Sequence, residues 1–215
     1  MVILLRNLLL IVWISALSVA ALSEESKAQD TRLKTILVIG DSISAGFGIP
    51  MQQGWVALLG KELQRQGHPT RVINASISGD TSQGGVSRLP ALLTTHQPDL
   101  VVIELGGNDG LRGTPIRLIR ANLQRMMDQA TQANSDILLL GMQIPPNYGR
   151  KYTQSFREIF PTLASQNAVP YVPFLLDKVA TTPGMMQADG IHPTAAAQPL
   201  MMASVYPEIL AWLKR

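Results

Sequence analysis

The sequence predicts an α/β protein, a three-layer α/β/α sandwich built on a five-stranded parallel sheet. Three observations carry that expectation. Five short runs rich in branched aliphatic residues recur along the 215 residues. Most of these runs are continuously apolar, not alternating, as strands covered on both faces must be. The segments between them have the length and the one-sided apolar pattern of crossover helices.

Residues 1–20, MVILLRNLLLIVWISALSVA, hold one charge, Arg6, ahead of an apolar run from Leu8 to Leu22. That run is shorter than the ~20 residues a helix needs to cross a bilayer. Ser18 and Ala20 place small side chains at the −3 and −1 positions of a cut after Ala20. A positive start, an apolar middle and a small-residue end predict a signal peptide and export, to a periplasm or out of the cell. An uncleaved anchor is the competing reading; with cleavage, no stable membrane span remains. Residues 21–33 read as a polar linker, and 34–215 as a single domain large enough to bury a full core.

Within that domain the strands are expected at TILVIG (35–40), TRVINA (70–75), DLVVIEL (99–105), DILLLGM (136–142) and AVPYVP (168–173). A helix is expected over 52–66, with Trp55, Leu58, Leu59 and Leu63 inward and Lys61, Glu62 and Arg65 outward. A second is expected over 115–133, with Ile116, Ile119, Leu123, Met126 and Met127 on one face. Near the C-terminus Pro199 fits only a first helical turn, and Pro207 should break or kink the chain beyond it. A helix over about 197–206, a bend and a terminal turn are the expectation.

Composition excludes several classes of function. There is no cysteine, so neither disulfides nor thiolate chemistry is available. Formal charge is +3, falling to +2 when Arg6 leaves with residues 1–20. That balance, without any basic run interleaved with aromatics, gives no reason to expect a nucleic-acid partner. No exposed zipper or long apolar face is visible, so a monomer is expected. Most of the nine methionines fall where core filling is their ordinary work.

Ligands of open parallel sheets bind beyond the carboxyl ends of the strands. The segments leaving the first three strands are GDSISAG (40–46), NASISGDTS (74–82) and GGNDG (106–110), all rich in glycine and small polar residues. Ser42 lies just past strand one. A serine hydroxyl becomes a nucleophile only beside a base, and His192 in DGIHP (189–193) is the candidate. Asp189, three residues earlier, would fix the imidazole tautomer and stabilise the imidazolium. Donors for an oxyanion are expected from the backbone N–H groups of Ser42 and Gly79 and from the side-chain amide of Asn108.

GDSISAG, NASISGDTS, GGND and DGIHP, in this order and spacing, resemble the four blocks of the SGNH, or GDSL, hydrolase superfamily. The resemblance covers about residues 35–200. It implies a flavodoxin-like fold and a mechanism without metal or cofactor. It also implies activity on small-molecule acyl esters and thioesters, including aryl esters and lysophospholipids. The spacing Gly40-x-Ser42-x-Ser44 departs from the G-x-S-x-G elbow of α/β-hydrolases.

GLRGTP (110–115) and PPNYGRKY (145–152) leave strands three and four and are expected to wall an acyl pocket. Leu111, Ile144, Pro145 and Tyr148 are the contacts there, with Met185 and Met186 before Asp189 as further candidates. Asp41 and Asp109 read as structural acceptors for loop N–H groups, and His68 and His96 as surface residues. Two rival functions stand beside this one. The first is a metal-dependent phosphohydrolase using Asp41, Asp109, Asp189 and His192. The second is an exported lipid carrier on the same fold with an idle triad.

Overall fold

Strands that must bury both faces assemble into one parallel sheet. Its members are β1 (Thr35–Gly40), β2 (Arg71–Asn74), β3 (Leu100–Glu104), β4 (Asp136–Leu140) and β5 (Tyr171–Val172). They pair throughout in parallel, in the order β2-β1-β3-β4-β5. The expected first strand is reproduced to the residue. The fifth shrinks to two residues, set between Pro170 and Pro173, neither of which has an N–H to give a ladder.

The computed structural model describes residues 32–215, and Lys34–Arg215 form one compact unit. The expected leader, 1–20, and nearly all of the linker lie outside the described residues.

Seven α-helices complete the described chain: α1 (Ser42–Ala45), α2 (Trp55–Arg65), α3 (Ser82–His96), α4 (Gly107–Leu111), α5 (Ile116–Gln132), α6 (Arg150–Asn167) and α7 (Gln198–Leu213). Period-two alternation sorts each strand between two cores. Leu37, Ile39, Val101, Ile103 and Leu139 pack with residues of α3, α5 and α6, including Leu89, Leu123 and Phe160. Ile36, Val38, Val102, Leu138 and Leu140 pack with Trp55, Leu59 and Leu63 of α2 and Met201, Val205 and Ile209 of α7. These are the three layers.

The C-terminal segment departs from expectation. Helix α7 runs unbroken through Pro207 to Leu213. An interior proline costs a helix about 3 kcal/mol. Beyond it, however, Ile209 is 0% and Trp212 4% exposed, and burying two such side chains returns about 1.5–3 kcal/mol each. The Trp212 indole N–H also donates to Asp136 Oδ2 at 2.7 Å. Tertiary packing outweighs the local breaker.

The order of the strands places the site. Chain direction across the sheet reverses between β1 and β3, and the loops leaving these two strands diverge there to open a crevice. Ser42 follows β1 and Asn108 follows β3, so both stand at its edge.

Candidate active site

Gly40 ends β1, and Asp41 caps the short helix behind it. Asp41 Oδ1 accepts the Ile43 N–H at 3.0 Å, and Gly46, at φ +76°, closes the turn by donating to the Ser42 carbonyl. This turn presents Ser42, 9% exposed, at the head of α1. Among the described residues the Ser42 N–H meets no acceptor.

The second half of the site is a tight loop before α7. Met186 bridges Pro193 in antiparallel fashion, Thr194 N donates to the Met185 carbonyl at 2.8 Å, and Gln187 N to the His192 carbonyl at 2.8 Å. Gly190, at φ +67°, turns the chain at the tip, a conformation that suits glycine. The turn lets Asp189 reach His192 from three residues away. Asp189 Oδ1 accepts the N–H groups of Ile191 and His192 at 2.9 and 3.0 Å, and its Oδ2 lies 2.7 Å from His192 Nδ1. These bonds, the imidazole's first, hold the Asp189 carboxyl down at about 2. An ionised carboxylate accepts only, so Nδ1 carries the proton and Nε2 is the acceptor. His192 Nε2 stands 2.8 Å from Ser42 Oγ. The hydroxyl therefore donates to the ring.

Two residues without a role in the sequence reading join these halves. The Gln187 side-chain amide donates to the Phe47 carbonyl at 2.8 Å and to the Pro193 carbonyl at 2.9 Å, tying the histidine loop to the chain just past α1. The Phe47 ring lies against the His192 imidazole, centroids 4.4 Å apart and tilted by 35°. Nothing in local pattern marks either residue. Only a contact across 140 positions gives Gln187 its meaning.

The expected oxyanion donors arrive by different routes. Gly79 sits exposed at φ +80° in the loop after β2, and its N–H meets no acceptor among the described residues. The Asn108 amide is engaged. Its Nδ2 donates to the Asp80 carbonyl at 2.9 Å and to Asp41 Oδ2 at 3.1 Å. An oxyanion would have to take over the longer of these bonds. Arg88 of α3 braces the same rim, donating to Asp80 Oδ2 at 2.7 Å, to the Gly40 carbonyl at 3.2 Å and to the Ala75 carbonyl.

Asp41 and Asp109 are acceptors. Asp109 takes the Ser82 N–H at 2.7 Å and its hydroxyl at 2.8 Å, which fixes the start of α3. Burial pushes the Asp41 carboxyl up to about 6, against the bond from Ile43 that lowers it. Four acidic and basic groups, Asp41, Asp109, Asp189 and His192, thus serve three separate purposes, and no cluster of three or more metal-ligating side chains exists among the described residues. His68 and His96 are half-buried, and the His96 Nδ1 is buried without a partner.

A cleft of about 510 Å³ opens beside Ser42 and His192. Leu111, Ile144, Pro145 and Met186 line it, together with Met142, Phe174, Leu176 and Ile191. Tyr148 and Met185 do not. Tyr148 stands on a 3-10 turn, Pro146–Tyr148, and stays 36% exposed. Met185 and Met186 both pack against the α2/α7 core, but only Met186 also reaches the cleft. Arg150, Lys151 and Tyr152 of the expected wall form the first turn of α6.

The chain is similar to known proteins over most of its length. The model of the GDSL-like lipase/acylhydrolase family matches residues 38–199. Esterase TesA of Pseudomonas aeruginosa is 50% identical over 193 residues, covering 90% of this chain and 94% of its own. Thioesterase 1/protease 1/lysophospholipase L1 of Escherichia coli is 47% identical over 167 residues, covering 78% and 79%. The crystal structure of the psychrotrophic esterase EstA from Pseudoalteromonas, inhibited by monoethylphosphonate, superposes with a TM-score of 0.81 at 38% identity, covering 85% of this chain and all of that one. A family match over residues 38–199, with relatives this similar over most of the chain, leaves one assignment: the protein belongs to the GDSL-like lipase/acylhydrolase family.

Proposed function

We propose that this hydrolase cleaves acyl esters and thioesters through an acyl-enzyme on Ser42, with His192 as general base and acid and Asp189 as its orienting partner. The observation that carries the reading is the line Ser42 Oγ–His192 Nε2–Asp189, with links of 2.8 and 2.7 Å. In the first half-reaction Ser42 Oγ attacks the substrate carbonyl carbon while its proton passes to Nε2. The tetrahedral oxyanion takes hydrogen bonds from the N–H groups of Ser42 and Gly79 and from the Asn108 amide, which gives up its bond to Asp41. Collapse expels the alcohol or thiol, which leaves with the Nε2 proton. Water then repeats the sequence on the acyl-enzyme, releasing the carboxylic acid and restoring Ser42.

The largely apolar lining, Leu111, Met142, Ile144 and Phe174 among it, supports acyl chains as substrates. Thioesters, aryl esters and lysophospholipids all place a similar carbonyl at Ser42. The pattern of residues 1–20 supports export, which makes envelope lipids a more accessible substrate than cytoplasmic acyl-CoA. Turnover of p-nitrophenyl acyl esters tests the whole. Wild-type protein should hydrolyse them with EDTA present and lose activity as an organophosphonate labels Ser42. Ser42→Ala should lose about 10⁶-fold in kcat. Activity surviving in Ser42→Ala would remove the nucleophile assignment.

A further inference from the structure

Behind the nucleophile turn lies a chain of buried polar groups that the mechanism does not use. Glu104 ends β3 and is 0% exposed. Its Oε2 accepts the Ser44 hydroxyl at 2.6 Å and the Asp41 N–H at 3.3 Å. Ser44 Oγ in turn accepts the Trp55 indole N–H at 3.1 Å. One carboxyl oxygen thus holds the backbone on one side of Ser42 and a side chain on the other. Gly40 makes the approach possible, since a Cβ there would stand 2.5 Å from Oε2 and 2.9 Å from Ser44 Cβ.

The other oxygen, Oε1, is buried with no hydrogen-bond partner. No ion pair reaches Glu104 among the described residues. A carboxylate left like that would bear the full desolvation penalty of an unpaired charge. Burial first, and the Asp41 carboxyl second, raise its proton affinity well above the ordinary carboxyl range. The neutral acid satisfies both constraints: Oε2 keeps its bonds and no charge is buried.

We propose that Glu104 is a positioning residue, which as an uncharged acid clamps the turn on both sides of Ser42 and so sets the approach of Ser42 Oγ to His192 Nε2. The inference rests on the acyl-transfer reading of Ser42. Chemically, it requires an acceptor at Oε2 and no charge, so an amide should replace the acid and an apolar side chain should not.

The full chain carries the test, as wild type, Glu104→Gln, Glu104→Leu, Ser44→Ala and Ser42→Ala. Each is assayed for kcat and KM on p-nitrophenyl butyrate and for melting temperature, with rates normalised to folded protein. Glu104→Gln should stay within about threefold of wild-type kcat, because its carbonyl accepts the same two bonds. Glu104→Leu should lose about 10- to 30-fold in kcat, and Ser44→Ala about fivefold, with KM within about twofold in both. Wild-type kcat in Glu104→Leu overturns the proposal. Should that variant not fold, wild-type kcat in Ser44→Ala does so. A loss in Glu104→Gln equal to that of Glu104→Leu, or a loss confined to KM, overturns it as well. Turnover surviving in Ser42→Ala would instead strike the nucleophile reading itself, so the two failures are separable.

Discussion

Gln187 is the point where the two halves of the site are tied, and cutting that tie has a calculable result. Gln187→Leu keeps most of the side-chain volume and removes both donors, to the Phe47 and Pro193 carbonyls. A net hydrogen bond contributes about 0.5–1.5 kcal/mol. Gln187 is only partly buried, so about 1–2 kcal/mol for the pair is the appropriate magnitude. If that energy holds His192 against Ser42, its loss appears in the transition state as about a 5- to 30-fold lower kcat/KM. Were it spread over global stability, a domain of this size would lose about 2–8 °C in melting temperature. The Asp189–His192 bond is local to the loop and survives, so the imidazole keeps its tautomer and loses only its place. Steady-state hydrolysis of p-nitrophenyl butyrate, run beside a thermal melt, separates the two outcomes. A drop in kcat with a melting shift under about 3 °C is expected. Gln187→Leu with wild-type kcat and KM would refute the reasoning.

The cleft and the buried acids give two more expected outcomes. Leu111→Gln puts a polar amide into the apolar lining, and should lower kcat/KM about tenfold on octanoyl esters but less than about twofold on acetyl esters, because only the longer chain loses apolar burial there; equal losses on both would remove Leu111 from the acyl site. Asp41 is 2% exposed, and its carboxyl rises from 3.8 to about 6. Between those values the unfolded chain has released a proton that the folded chain keeps, so this group's contribution is full below 3.8 and fades as pH rises through 6. Urea unfolding of wild type and Asp41→Asn between about pH 4 and 7 checks it. The stability difference between the two should shift in that direction with pH, and a pH-independent difference would contradict it.

Several residues of the candidate site carry a local mark in the sequence. The strand at 35–40 was legible because a short, β-branched, uncharged run ended by Gly40 suits a strand covered on both faces. Ser42, Gly79, Asn108, Asp189 and His192 stood out because each falls in a short glycine-rich segment directly beyond a strand or in a turn stopped by Pro193. Leu111, Ile144, Pro145 and Met186, named for leaving strand ends or preceding Asp189, line the cleft. Tyr148 and Met185 were not separable from them by local pattern, because which side chains reach the cleft depends on how the loops around it pack. Pro207 misled for a related reason. Its local cost is readable from the sequence, but the offset depends on Ile209 and Trp212 finding a core.

The amino-acid order alone determined the parallel α/β architecture, the strand that delivers Ser42 and the three-residue step that joins Asp189 to His192. These depend on hydrophobic period, on turn chemistry and on neighbours close along the chain. The tertiary structure decided what Gln187, Phe47 and Glu104 do, which hydrogens of Asn108 are already engaged and which walls the cleft has. Each of those is a contact between segments tens to more than a hundred residues apart. A glutamine or a glutamate carries no local mark of the partner it will meet, so its role exists only once the sheet has closed and brought the segments to one edge.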